Sequence, residues 1–385
     1  MSRISHTDPA FFMYFGEMIS RIKDLGFKTA FILFPAVIVY ILLTDSDGCG
    51  DLPRDFRFFP IAGGSALLLA IIWSFIDRQK QDYVRLQYWL QTLLRFFLAY
   101  TIMQYGAAKV LDVQFSSNIE TLDTRVADMR PMTVAWTFFG YSFSYEFFIG
   151  CSQIAAALLL LFRRTATLGA ILMVTIMSNI VFVNFAFDVC VKFFSSTYLV
   201  MSLYLLVDDA TRLTNVLLLN RTAEKRIYPP LFQKPVLKRI AGILGVLIGV
   251  FAIAYPLYYT VRMMEKYGVR KHSALYGVWS VESLHASGDA LNQLLHEEST
   301  GWKKVVFGDY NYATAKSWTA DVGYFGYTVD TAKHHVRMTR TYPDTLLVVN
   351  STYRLHKDTL YLVGKYGDDS LYVRLHLLRK YFLRQ

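Results

Sequence analysis

The chain is poor in charge, in cysteine and, over most of its length, in histidine. Asp, Glu, Lys and Arg make up 18% of its 385 residues, where a soluble domain carries about 25%. The three cysteines, Cys49, Cys151 and Cys190, are odd in number, widely spaced and never arranged as Cys-x-x-Cys. This excludes a disulfide scaffold and leaves no zinc-binding or thioredoxin-like signature. Only His6 precedes residue 262; the other seven of the eight histidines follow it. A bis-histidine haem held among the apolar segments is therefore excluded. Gly-x-Ser-x-Gly, a Walker loop, His-Glu-x-x-His and a dinucleotide fingerprint are all missing, so no catalytic signature stands out and no metal site is assigned.

What the chain has is hydrophobicity: 54% of it is apolar and the mean hydropathy is +0.30. An apolar helix of about 20 residues crosses the hydrocarbon core of a bilayer. Seven stretches are candidates: Phe27–Thr44, Phe59–Ile76, Tyr88–Ala108, Thr133–Phe162, Ala166–Phe187, Phe193–Val207 and Ile240–Val261. The fourth is too long for one simple span, and its first part, through Phe143, is expected in the outer interface. The sixth is short. No signal peptide is legible in residues 1–26, where Ala10–Met18 reads as a cytoplasmic interfacial helix.

With the N-terminus in the cytoplasm, 17 Lys and Arg fall on the inner side and 6 in the outer loops, and the other 17 follow Val261. That asymmetry obeys the positive-inside rule and sends the C-terminal region outside. The net charge of +10 is then mostly a topology signal, and no nucleic-acid partner is expected. Cys49 and Cys190 share the outer side. An oxidising compartment permits a bridge between them, and two unpaired thiols are the other reading.

Past residue 262 the period changes. Leu371, Val373, Leu375 and Leu377 alternate with Tyr372, Arg374 and His376, and Trp302–Phe307, His335–Tyr342, Thr345–Leu355 and Thr359–Tyr366 also read as strands. Pro343-Asp344, Lys357-Asp358 and Gly367-Asp368-Asp369 supply turns. An antiparallel meander of about eight strands closes as a barrel, because closure removes the sheet edges. His334 and His335, being adjacent, are expected on opposite faces of a strand.

Polar groups in apolar segments are costly, about 2.5 kcal/mol or more for an ionised one, and each calls for a reason. Glu146, Asn184, Asp188, Lys192 and Lys109 gather towards the outer side. Glu146, Asp188 and Lys192 are expected to face the interior of the bundle, with Asn184 donating to Asp188. One reading makes the cluster structural, with Asp188–Lys192 and Glu146–Lys109 as ion pairs. The other makes it a polar pocket that handles protons. Gly63-Gly64 and the Gly242, Gly245, Gly249 series read as surfaces for close helix approach. Arg163-Arg164 reads as an interfacial anchor.

Two stretches carry resemblances. Gly277-Val278-Trp279 opening the meander resembles the lipocalin signature. It implies that Gly277 permits the entry turn, that Trp279 plugs one end of the barrel, and that a cation, Arg374 or Arg379, covers the indole face. It also implies a pocket for an apolar ligand, although a barrel of this size is also compatible with a solid interior. Arg95-Phe96-Phe97 through Gly106-Ala107-Ala108-Lys109-Val110, Glu146 with Ala155–Thr165 and Leu168-Gly169-Ala170, and Asn184-Phe185 through Ser195 resemble the DoxX-like membrane proteins. That resemblance covers about residues 88–208 and implies a four-helix core. Some members are linked to quinone-coupled or redox functions.

The expected organisation is a cytoplasmic interfacial segment (1–26), two transmembrane helices (27–87), the DoxX-like core (88–208), a basic cytoplasmic linker (209–239), a seventh span (240–261) and an external lipocalin-like β-domain (262–385). Two functions compete. One is an oxidoreductase component of the cytoplasmic membrane that binds quinone or a redox partner. The other is a non-enzymatic, membrane-anchored module that binds a lipid or a membrane or periplasmic protein partner at the outer face.

Overall fold

In the computed structural model, residues 9–44, 51–77, 83–115, 119–223, 232, 234–265, 272–287, 302–308, 311–317, 322–342, 348–366 and 369–379 are described. Cys49 and the turns at Pro343-Asp344 and Gly367-Asp368 lie outside them. The described helices are α1 (Pro9–Thr44), α2 (Pro53–Ile76), α3 (Val84–Val110), α4 (Ile119–Leu122), α5 (Pro131–Phe139), α6 (Phe143–Leu161), α7 (Ala166–Ala186), α8 (Lys192–Leu206), α9 (Ala210–Leu217) and α10 (Pro235–Met263). Eight strands follow: β1 (Gly277–Ala286), β2 (Trp302–Phe307), β3 (Tyr312–Ser317), β4 (Val322–Asp330), β5 (His335–Tyr342), β6 (Val348–His356), β7 (Thr359–Tyr366) and β8 (Asp369–Leu377). The chain divides into two compact units, residues 1–111 with 147–261 and residues 112–146 with 262–385. The β-domain thus includes 112–146, a segment that the sequence assigned to the helical core.

In the helical unit, five helices among the described residues are long and apolar enough to cross a membrane: Met18–Thr44 within α1, α2, α6, α7 and α10. This is a multi-pass membrane protein by helix length and composition. The other two expected spans fall short for different reasons. α8, with 15 residues, is about 22 Å long at about 1.5 Å per residue, against a core of about 30 Å. α3 is long enough, but Gln87, Gln91, Arg95, Gln104 and Lys109 interrupt it. Its place explains them. Leu90, Leu94, Phe97, Leu98, Ile102 and Met103 bury α3 in one core with Val37 and Ile41 of α1, Leu160 of α6, Met173 and Met177 of α7, and Tyr198 and Met201 of α8. A helix surrounded by protein has partners for polar side chains that hydrocarbon does not offer.

Three features differ from expectation. α1 runs unbroken from Pro9 to Thr44, with no separate helix before residue 27. The close helix approaches fall at other glycines. A Cβ on Gly106 would meet Gly150 O and Ile154, and one on Gly169 would meet the backbone of Leu159 and Leu160, whereas Gly63, Gly64, Gly242 and Gly245 face open space. The long fourth stretch is broken into α5 and α6 around Gly140, which lies against the Phe115 carbonyl so tightly that no side chain fits there.

In the second unit the strands form a closed, consecutive antiparallel barrel. Gly277 opens it at φ 146°, a conformation that favours glycine, as the entry-turn reading expected. The alternation in β8 holds: Leu371, Val373 and Leu375 point inward and are buried, while Tyr372, Arg374 and His376 are exposed. Trp279, Phe307, Phe325, Tyr327, Met338, Tyr353, Leu360 and Val373 fill the interior as one cluster. Segment 112–146 packs on the outside of this wall. Ile119 of α4 buries the outward-facing Val278 and Val306. Beside them, Lys304 and Lys316 are directly opposed across β2 and β3. The Asp123 carboxylate, 3% exposed, pairs with both at 2.6 and 3.1 Å, cancelling a like-charge cross-strand contact that destabilises a sheet.

Candidate functional site

Within the helical unit, Lys109 and Asn184 are buried, whereas Asp188 is not drawn into the interior with them. Asp188 adopts φ 51° just beyond the end of α7, where a left-handed residue terminates a helix. The helix stops before the i, i+4 face reaches it, so its carboxylate turns outward and is 82% exposed rather than facing the interior. Lys192 pairs with it at 2.7 Å and with Asp51 at 3.3 Å. Asp51 also accepts from the amides of Lys192 and Phe193, both at 3.2 Å. It thereby satisfies free N–H groups at the start of α8 and places a negative charge at the positive end of the helix. Sequence reasoning missed Asp51, because nothing local links it to a helix that begins 141 residues later.

Asn184 donates to Ser195 Oγ at 3.0 Å, not to Asp188. Both residues are buried, and the bond ties α7 to α8. Glu146, in the first turn of α6, is fully buried. Within the helical unit, buried Lys109 donates to Gln153 Oε1 at 3.1 Å and lies 5.9 Å from the Tyr105 ring centroid. Gln153 is 1% exposed, and its Nε2 finds no acceptor among the described residues.

Another buried charge was counted from sequence only among the basic residues of the inner side. Lys28 is 1% exposed, paired with Asp24 at 2.7 Å and Asp77 at 3.5 Å, and lies 5.6 and 5.4 Å from the Trp73 and Tyr83 ring centroids. Opposite charges and aromatic faces together make this cage tolerable for an ammonium removed from water.

In the barrel, neither Arg374 nor Arg379, the two cations expected over Trp279, is engaged there. Trp279 is buried, and its indole N–H donates to Leu275 O at 2.8 Å. Arg374 pairs with Glu282 at 2.9 Å and Arg379 with Asp358 at 2.8 Å. The alternation that buries Val373 and Leu375 turns Arg374 outward, and Arg379, beyond the end of β8, is exposed. His334 sits in the β4–β5 turn at φ 51° instead of on a strand with His335. His356 and His376 are exposed. No cluster of His, Cys, Asp or Glu fit to hold a metal occurs among the described residues.

The outer wall over β1, β7 and β8 carries a patch instead. Tyr372 is 6.3 Å from His285 and 6.5 Å from Tyr361, ring centroid to ring centroid. Arg374 lies 5.9 Å from the Tyr361 centroid, and Val363, opposite Tyr372 in the ladder, is 51% exposed. Tyrosine and arginine with an apolar neighbour are the residue types that anchor protein–protein contacts.

Compared with known proteins, the chain is 44% identical over 122 residues to the "Uncharacterized protein YwoB" of Bacillus subtilis (strain 168), a stretch that covers 32% of this chain and 78% of that protein. No family model matches the chain, and no solved structure matches it.

Proposed function

The chain belongs to the family of Bacillus subtilis YwoB, and from its own fold we infer that it is a non-enzymatic, membrane-anchored recognition module. The helices hold it in the bilayer, and the outer wall of the β-barrel docks a protein partner. The observation that carries this reading is the filled barrel interior. A cup packed with Trp279, Phe307, Phe325 and Tyr353 leaves little room for an apolar ligand, so recognition falls to the exterior and its Tyr361–Tyr372–Arg374 patch. With an odd number of spans, such as the five helices long enough to cross, and the N-terminus in the cytoplasm, the barrel lies on the outer side of the cytoplasmic membrane. A photo-crosslinking residue at Val363 in the membrane-embedded protein tests the site. The expected result is one discrete adduct, lost in Tyr372→Ala while the barrel stays folded. No adduct, or one indifferent to Tyr372→Ala, would sink it. An alkaline phosphatase fused after Gln385 tests the orientation and is expected to be active.

One observation favours the DoxX-like reading, a redox component that binds quinone. Gln153 Nε2 is a buried donor with no acceptor among the described residues, and an acceptor such as a quinone carbonyl suits it, with Lys109 beside it. A bound quinone would supply two-electron, two-proton redox chemistry. Stoichiometric quinone co-purifying in mild detergent, and lost in Gln153→Leu, would favour this reading over the first.

A further inference from the structure

We propose that the helical unit binds the phosphate of an anionic phospholipid in a cleft where α3 begins, α6 ends and α7 begins. The cleft is lined by Tyr88, Gln91, Thr92, Arg95, Arg163 and Ala166. Arg95 donates through Nε to Leu160 O at 2.8 Å and through Nη2 to Leu161 O at 2.9 Å. These bonds hold its guanidinium rigidly at the carbonyl end of α6. Arg163, which is exposed, lays its guanidinium over the Tyr88 ring at 4.8 Å. Tyr88 itself is only 8% exposed, and its hydroxyl has no hydrogen-bond partner among the described residues. A buried phenol O–H normally finds an acceptor, and an anionic oxygen in the cleft is the acceptor that its two guanidinium neighbours favour.

Nearby carboxylates are engaged with other groups. Asp208 accepts from Gln87 and, at 2.7 Å, from Gln91. Asp209 accepts from Thr167 at 2.6 Å and pairs with Arg212. With Arg164 following Arg163, four arginines meet two aspartates at this end among the described residues, an excess of positive charge. A lipid rather than a free ion is favoured by what surrounds the cleft: Trp89, Leu93, Phe162 and Leu168 are all more than 40% exposed and offer apolar surface for acyl chains. Basic clefts between membrane helices that bind headgroups in this way need no further motif.

The test uses the full-length protein in mild detergent, titrated with phosphatidylglycerol or phosphatidylcholine and read by native mass spectrometry. The wild type is expected to retain one phosphatidylglycerol in preference to phosphatidylcholine. Arg163→Gln should lower that retention about tenfold, and Tyr88→Phe, which keeps the ring and its packing, about fivefold or more. Arg85→Gln is the control: it removes an exposed charge from the first turn of α3 and should change retention less than about twofold. Equal retention of the two lipids, an unaffected Tyr88→Phe, or an Arg85→Gln loss as large as that of Arg163→Gln would overturn the site. Displacement of the lipid by millimolar inorganic phosphate that stabilises the protein equally would overturn the lipid assignment in favour of free phosphate.

Discussion

The two units solve the same problem in opposite directions. In the barrel, large apolar side chains point inward, while Arg374, His376 and Glu282 face out. In the helical unit, Leu68, Phe75, Ile76, Phe182, Val246 and Phe251 face out, all more than half exposed, and several polar groups are buried: Lys28, Gln91, Arg95, Lys109, Gln153, Asn184 and Ser195. Water around one and hydrocarbon around the other account for the inversion. The difference also decides how each unit is held together. The barrel has the hydrophobic effect and a continuous ladder. The helices, which gain little from burying leucine out of lipid, depend on close backbone approach and on a few polar contacts.

The comparison breaks or sharpens at particular residues. The largest effect is expected at Asp123. Replacing it by alanine strands two opposed lysines that are 25% and 17% exposed, and removing one partner from such a cluster costs about 2–4 kcal/mol. Denaturant unfolding of the full-length protein, followed by tryptophan fluorescence, should show the barrel transition moving while the helical signal stays. A helical transition that moves equally would mean that the two units do not unfold separately.

Glycines come next. Gly106→Ala in the helices and Gly364→Ala in the barrel, where a Cβ would meet Ser351 and the Asn350 carbonyl, should each cost about 1–3 kcal/mol. Gly242→Ala and Gly245→Ala, which meet nothing, should leave thermal stability in detergent unchanged or slightly raised. A loss at Gly242 comparable to that at Gly106 would show that its face packs on something outside the described residues.

Asn184→Ala removes a buried bond between α7 and α8 and should lower stability by about 0.6–1.7 kcal/mol. Asp188→Ala removes a pair whose carboxylate is mostly exposed and whose lysine keeps Asp51, so a change below about 0.5 kcal/mol is expected. If these two rank the other way in detergent melts, the inner and outer assignments on α7 are reversed.

The smallest effect is a pH dependence in the barrel. The hydrogen bond from Arg379 holds the Asp358 carboxyl below its ordinary value. A carboxyl with a depressed folded pKa adds stability above its unfolded value, near 3.9, and loses it as pH falls through the folded one. The difference between wild type and Asp358→Asn should thus be present at neutral pH and vanish in strong acid. A difference that persists in acid would exclude the ion pair as its cause.

Legibility followed the same division. The alternation in β8 named the inward residues directly, because a strand's two-residue period leaves one face to the core. The apolar runs located the helices for a similar reason. Which side of each helix meets protein was less legible, since a segment apolar all round has no marked face. The glycines show it: Gly106, Gly150 and Gly169 pack tightly, and the more conspicuous Gly242 and Gly245 do not.

By itself, the sequence determined that the chain enters a membrane and ends in an antiparallel barrel. Both follow from local periodicity and from the cost of leaving backbone polar groups unpaired in hydrocarbon or at a sheet edge. Only the tertiary structure decided that Asp51 caps α8, that Asp123 straddles two strands, that Asp188 turns outward and that Tyr88 lies beneath Arg163. Apart from Asp188, whose direction depends on where α7 stops, these contacts join residues far apart in the chain. Charge pairing and hydrogen bonding act over a few ångströms of space, and no spacing along the chain encodes which distant segments will close that gap.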